Sequence, residues 1–487
     1  MTPTMSRRLA QILVFALLLI VLVAAPALAH VELTSSDPAD GATVTAVPET
    51  VELLFSTEAE PAGDGIVLVD ANGEPLVAMV DQVAQDRIVV TPDVPLENGA
   101  YGLTWTMKAG DAHPKSGSVT FRVDVPATAA DSTETAPSAQ AQDAPAVDPL
   151  PVFDEPNTAP GEWLGRIGRW AAMFGALVGI GAFAFAATSL VGTKREVQEA
   201  GYWVRRSGVL VLAGTVVEVL GASMALAGSI AGGLSPGSLV GTLSGAFGVA
   251  VLLRVAGGAA MVQGTEVKAS KASSPLADPM IVRPGGDGAA VATAVLERQR
   301  GQVAYRLDIH HSVTALIGVG LVTASYLFDG HTVTAAPAPI VRFANVAHVL
   351  GAGVWLGGVL LMGRTLTSRR RRGVALDAAP IAIRFSLVAA VALAVVGVAG
   401  FALTWTILDA PSELISTAWG RLLILKLLAV GSAAAMGAYN HFMVIPMLEA
   451  NRDDEHASDH LRRLVRIEGG ILLVVVAITA VFVGAAS

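Results

Sequence analysis

The chain has 487 residues, 53% of them hydrophobic and only 15% charged, with a mean hydropathy of +0.59. Soluble domains carry about 25% charged residues, so a purely soluble cytosolic protein is excluded as a first reading. The net charge of −9 disfavours nucleic acid as a partner, and the complete lack of cysteine excludes disulfides, Cys-type zinc sites, iron–sulfur clusters and thiol nucleophiles.

In chain order, Arg7 and Arg8 precede an apolar run from Ile12 to Val23 and then Ala27-Leu28-Ala29. That basic, apolar, small-x-small order predicts a secretory signal over residues 1–29, in preference to an uncleaved anchor helix, because the run is short for a span. Cleavage after Ala29 makes His30 the first residue of the mature chain and places the next domain outside the cytoplasmic membrane. Residues 30–125 alternate with period two, as in Val51-Leu53-Phe55, Tyr101-Leu103-Trp105-Met107 and Val119-Phe121-Val123. Turn sequences at 37–41, 70–73 and 97–99 separate the runs. About seven strands are expected, packed as a small antiparallel sandwich or barrel.

Residues 126–162 are rich in Ala, Pro, Asp, Ser and Thr and poor in large apolar residues, the composition of a flexible acidic tether. From residue 163 to 487 the chain reads as an all-α membrane domain of eight helices, near 165–191, 206–230, 238–262, 308–328, 343–366, 382–408, 419–444 and 465–485. Lys and Arg gather in alternate loops: Lys194, Arg195, Arg205 and Arg206; Lys268 to Arg300; Arg369 to Arg372; Arg452, Arg462 and Arg463. The loops between them, near 231–237, 329–341 and 409–418, contain none. By the positive-inside rule the N-terminal domain and the C-terminus are extracytoplasmic. The inside loop 263–305 carries no functional signal.

With thiolates absent, a metal must be held by His, Met, carboxylate, backbone or a free amine. A mature N-terminal histidine offers its α-amine and ring nitrogen together, and that amine deprotonates far more readily than a lysine. Asp111-Ala112-His113 places a carboxylate and an imidazole on one face of an extended segment. His30, Asp111 and His113 thus supply three nitrogens and an oxygen, a set that suits Cu(II); zinc accepts the same donors, and the Irving–Williams order favours copper. By spacing alone, His113 reads equally well as an exposed histidine at the turn before Pro114, and His30 as an accident of processing.

His30-Val-Glu-Leu, Ser36-Asp-Pro-Ala-Asp-Gly, Pro48-Glu-Thr-Val-Glu-Leu-Leu-Phe-Ser, Trp105, Asp111-Ala-His113-Pro and Gly117-Ser-Val-Thr-Phe, in that order, resemble the CopC family of periplasmic copper-binding proteins. The resemblance implies a CopC-like Greek-key β-sandwich with Cu(II) on His30, Asp111 and His113. The family often has Gly where this chain has Ala112, and the two methionines of this domain, Met79 and Met107, do not make a Met-rich Cu(I) site.

In the membrane block, Asp329-Gly330-His331 stands at the outer end of segment four. His348 follows about 9 Å inside the outer boundary of segment five, where a polar side chain is a functional candidate by default, with a helix-packing histidine as the plainer reading. Met173 and Met224, in the outer halves of segments one and two, offer thioethers to Cu(I) or serve as filler. Glu218 and Arg254, at similar depth, read as a structural ion pair first and a relay second. Asp329-Gly-His-Thr, His348 with Trp355-Leu-Gly-Gly, Trp419-Gly-Arg-Leu-Leu-Ile-Leu-Lys426, Tyr439-Asn440 with Pro446, and Arg463 with Glu468 resemble the CopD family of copper-resistance membrane proteins, departing from it at His441. A CopC-like domain ahead of a CopD-like block looks like the YcnJ type of copper-uptake protein.

The expected function is capture of Cu(II) outside and passage of copper inward, without catalysis, with Cu(I) the form suited to a Met/His route in the membrane. Changing oxidation state between the two parts leaves room for a partner copper reductase or chaperone. The other partners expected are copper ions and the lipid bilayer, with no nucleic acid. The alternative is a membrane haem or copper redox protein, in which His310 and His311, with His348 and His441, ligate haem iron where pairs face each other at matching depth.

Overall fold

The computed structural model describes residues 33–56, 60–108, 114–126, 160–264, 269–271, 304–328, 338–407, 411–451 and 454–485. His30, Asp111, His113, Asp329 and His331 lie outside the described residues.

The N-terminal part is a two-sheet sandwich. One sheet has the order β1-β3-β7-β6, from Leu33–Asp37, Val51–Phe55, Arg87–Pro92 and Ala78–Ala84; the other has the order β2-β9-β8-β4-β5, from Ala42–Val44, Pro114–Val123, Gly99–Lys108, Glu60–Asp70 and Pro75–Leu76. All the pairings are antiparallel except β2 with β9. Nine strands replace the expected seven because β2 and β5, at three and two residues, are too short to show an alternation. The runs that were legible form the core: Val51, Leu53, Phe55, Leu103, Met107, Val119, Phe121 and Val123 are each at most 2% exposed. Strand alternation sends these side chains between the sheets. The predicted turns separate the expected strands; in one, Asp70 accepts from the backbone N–H of Asn72 and of Glu74, both at 2.9 Å. Those bonds, Glu74 foremost and against a smaller effect of desolvation, hold the Asp70 carboxyl below its ordinary range.

The helical part comprises α1 (Glu162–Thr188), α2 (Lys194–Leu226), α3 (Gly245–Gln263), α4 (Val313–Ser325), α5 (Ala338–Arg371), α6 (Ala379–Ile407), α7 (Ala418–Tyr439) and α8 (Glu455–Ala485). Among the described residues six helices are long and apolar enough to cross a membrane: α1, α2, α3, α5, α6 and the stretch Gly420–Ala450 containing α7. The fourth predicted segment is shorter than expected, a 13-residue helix, because Asp308 starts a separate turn by accepting from His310 N–H at 2.9 Å and meeting His311 Nδ1 at 2.8 Å. Burial pushes the Asp308 carboxyl up, but these bonds outweigh it and hold the group below its ordinary value. His310 and His311 therefore sit exposed before the helix, not on it.

Small residues let the helices touch. A Cβ on Gly181 of α1 would fall on the backbone of Gly353 and Gly357 of α5, and Gly257 of α3 meets Gly318 of α4 in the same way. In a lipid-facing bundle, where burial against neighbours gains little over burial in acyl chains, such close backbone approach supplies the packing. Described residues flanking the loops predicted to lie inside meet one another. Glu196 at the start of α2 accepts from Arg369 Nε at 2.9 Å, Arg369 Nη2 at 3.0 Å and Arg372 Nη2 at 2.9 Å. Arg369 also donates to Leu376 O at 2.7 Å, and Gly192 pairs with Tyr305.

Gly181→Ala is expected to destabilise the helical unit by about 1–3 kcal/mol through overpacking, while Gly320→Ala, with open space around its Cβ, is neutral. Thermal inactivation of the two variants in detergent checks this; equal midpoints would show that α1 and α5 can part without cost.

Candidate functional site

In the sandwich, the described strands place the flanks of the predicted ligand set together. β8 ends at Lys108 and β9 begins at Pro114, and the two are paired to these last residues at one end of the five-stranded sheet. Leu33, three residues after His30, pairs with Phe55, whose ring meets Trp105 edge-on at 5.3 Å. Trp105 is three residues from the end of β8, so the start of β1 and the paired ends of β8 and β9 lie at the same end of the sandwich. Gly117 opposite Trp105 leaves no room for a Cβ against the indole. Lys108 Nζ donates to Gly241 O at 2.8 Å and Ser244 Oγ at 2.7 Å.

The helical unit holds two buried polar clusters. In the first, Glu218 of α2 accepts from Arg254 Nη1 of α3 at 2.7 Å and from Arg169 Nε of α1 at 3.0 Å. Glu218 and Arg254 are 1% and 2% exposed, and Arg254 also lies over the Tyr326 ring. The sequence reading of Glu218 and Arg254 as a structural pair matches this geometry. Arg169 was not anticipated, although two arginines, Arg166 and Arg169, in the first turns of an apolar helix are themselves a signal for a polar partner.

The second cluster runs along α5, α6, α7 and α8. His348 of α5 sets Nδ1 3.2 Å from Val396 O of α6, and Gly400 of α6 leaves space beside the ring. A carbonyl only accepts, so the bond assigns the proton to Nδ1 and leaves the Nε2 lone pair free. Lys426 of α7 lies within electrostatic reach of the ring. Trp355 follows His348 by seven residues, two helical turns along the same face, or about 10 Å. Its Nε1–H donates to Glu468 Oε1 of α8 at 3.0 Å, and the Asn440 amide donates to Glu468 Oε2 at 3.4 Å. Asn440 opens a five-residue π-helical segment, Asn440–Val444, continuing α7. One extra residue in the turn re-aims side chains, which is why such segments mark functional sites. Trp355, Glu468 and Asn440 are 4%, 4% and 7% exposed. His441, next along, hydrogen-bonds Ser386 of α6. Trp355, Asn440 and Glu468 enter the sequence reading only through family resemblance; the missed signal is Glu468, the one charge in the apolar run 467–485.

Of the other predicted residues, Met173 packs partly buried against the main helical core and Met224 against Gly161 and Gly233. Among the described residues no group of three or more His, Asp or Glu is placed to hold a metal ion.

Glu218→Ala leaves two guanidiniums without their carboxylate and is expected to cost about 3–5 kcal/mol, the penalty of a broken buried pair. Chemical denaturation of the full chain in detergent measures it, and a loss below 1 kcal/mol would show that water reaches the site.

Residues 33–124 match the family model of the CopC domain, and residues 379–482 match that of CopD, "copper resistance protein D". The chain is 36% identical over 110 residues to copper resistance protein C of Xanthomonas campestris pv. juglandis, covering 21% of this chain and 86% of that protein. Copper resistance protein C of Pseudomonas syringae pv. tomato shares the same identity over the same shares. Protein YobA of Escherichia coli K12 is 32% identical over 98 residues, 20% of this chain and 79% of that one. Among solved structures, PcoC, a methionine-rich copper resistance protein from Escherichia coli, aligns over 20% of this chain and 100% of its own, at 32% identity and a TM-score of 0.18. With 86% of the Xanthomonas protein's length covered at 36% identity, the chain belongs to the CopC copper-resistance family, its CopC domain joined in one polypeptide to a CopD domain.

Proposed function

We propose that the protein captures Cu(II) outside the cytoplasmic membrane and passes copper inward, serving copper uptake and homeostasis. The observation that carries this reading is the union of a CopC and a CopD domain in one chain, which puts metal capture and membrane passage under one tether. Linking the two raises the local concentration of loaded domain at the membrane without any new contact.

In this reading His30, Asp111 and His113 hold Cu(II), the α-amine and two imidazoles supplying nitrogen and the carboxylate a fourth donor. Support comes from the flanking strands, since the start of β1 and the paired ends of β8 and β9 stand at one end of the sandwich. Asp329 and His331 receive copper at the outer side and His348 takes it into the bundle, with the thioethers of Met173 and Met224 as further Cu(I) donors. His348 has the form of a ligand histidine: one ring nitrogen is fixed on a carbonyl, and the other is left with its lone pair. The arginine-rich end of the unit faces the cytoplasm, the N-terminal domain and the C-terminus lie outside, and α4 and α8 complete eight passes with the six apolar spans. A reductase or copper chaperone accompanies the protein where Cu(II) becomes Cu(I). The protein itself is a carrier rather than an enzyme.

Titration of residues 30–125 with Cu(II), followed by EPR, is expected to show one tight nitrogen-rich site that weakens at least tenfold in His113→Ala; an unchanged spectrum and affinity would remove His113 from the site. Copper uptake into vesicles is expected to fall at least tenfold in His348→Ala, and uptake at the wild-type rate would take His348 off the path.

A further inference from the structure

Three carboxylates are buried in the described helical unit, and one of them is handled differently. Glu196 and Glu218 are each held by two guanidiniums. Glu468 is held by neutral donors, the Trp355 indole and the Asn440 amide, with no cation bonded to it among the described residues. A carboxylate sunk among helices with only neutral partners is relieved by taking up a proton.

The pocket has a matched place for each state. Asn440 donates its amide N–H to the carboxylate, while its Oδ1, also buried, has no partner among the described residues. A half-turn of that amide exchanges the two atoms, so that Oδ1 faces Glu468 and accepts from the protonated acid. Trp355 Nε1 donates to the other carboxyl oxygen in both states. Gly437 of α7 keeps the space beside Glu468 Oε1 free of a side chain.

We propose that Glu468 is a proton-binding site whose occupancy is coupled to copper in the helical unit, a proposal that rests on the reading of His348 as part of the copper path. The step is proton transfer alone: the acid O–H bond breaks, the proton passes to water and no electron moves. The titratable and charged groups on the elements packed around Glu468 are Arg342, His348, Arg364 and Arg369 to Arg371 on α5; Arg421, Lys426 and Tyr439 on α7; His441 in the π segment; Glu449 in the short helix that follows it; and Glu455, His456, Asp459, His460, Arg462, Arg463 and Arg466 on α8 itself. Arg364 is engaged with Glu199 at 2.7 Å, and His441 with Ser386. Copper at His348 adds positive charge about 10 Å along α5 from Trp355, the residue bonded to Glu468; at a separation of that order and an effective dielectric of about 20, each unit charge disfavours the proton roughly tenfold.

The test uses the full chain in lipid vesicles and dicyclohexylcarbodiimide, which modifies protonated carboxyls in apolar surroundings, with modification at Glu468 quantified by peptide mass spectrometry across pH. Labelling is expected to fall as pH rises, with a midpoint that moves to lower pH by about one pH unit when Cu(I) generated with ascorbate, or Cu(II) sulfate, is added. No modification at any pH, or one midpoint with and without copper, overturns the proposal. Glu468→Gln is expected to lose the modified peptide. Should that variant fail to fold, Trp355→Phe keeps the acid and deletes one donor to the carboxylate, and its midpoint is expected at higher pH; an unmoved midpoint overturns the pocket as assigned. Wild-type vesicles that take up no copper while labelling still answers to copper overturn the transport reading and leave this one standing. Normal uptake with unresponsive labelling overturns the proton site alone.

Discussion

A charge or polar group placed among apolar helices has no water to turn to, and that constraint organises the helical part of this protein. Each buried carboxylate recruits donors from other helices and thereby decides which helices meet. Glu196 draws the arginines at the end of α5 to the start of α2. Glu218 draws α1 and α3 onto α2 through Arg169 and Arg254. Glu468 joins α5, the π segment after α7, and α8. The first two are compensated charge clusters and read as scaffolding. The third, with neutral donors, is the one whose charge is free to change.

Between these polar points the helices are held by shape. Glycines at the α1–α5 and α3–α4 crossings bring backbones within reach of one another, which leaves little freedom for the helices to rotate. The polar column from His348 through Trp355 and Glu468 to Asn440 is thus carried on rigid elements rather than loops. Its single irregularity is the π turn that re-aims Asn440. The sandwich rests on different physics. Its core is a dry layer of aliphatic and aromatic side chains between two sheets, with Phe55 and Trp105 packed edge-on within it.

Much of this was legible along the chain, and unevenly so. Period-two alternation identified Val51 to Phe55, Tyr101 to Met107 and Val119 to Val123 as core strands, because one face of each is buried and the pattern is local. β2 and β5 escaped notice because two or three residues cannot display a period. The helix at 313–325 was drawn too long because hydropathy does not register the Asp308 side chain, which starts a turn and leaves His310 and His311 outside it. Glu218 and Arg254 were paired correctly from depth alone, as two opposite charges in apolar surroundings have few other places to go. Arg169 as a third member required knowing which faces of α1 and α2 touch.

By itself, then, the sequence determined the division into a strand-rich domain and a helical block, the residues that line the sandwich core, the family of both parts, and the donor chemistry open to a chain without thiols. These follow from local periodicity, composition and motif, which do not depend on how distant segments meet. Only the tertiary structure decided that Trp355, Asn440 and Glu468 share one pocket across 113 residues of chain, and that a histidine on α5 stands two turns above it with one nitrogen fixed on α6. Which helix faces oppose each other is set by the mutual fit of glycines and the demand of buried polar groups for partners. Neither is visible in a single segment.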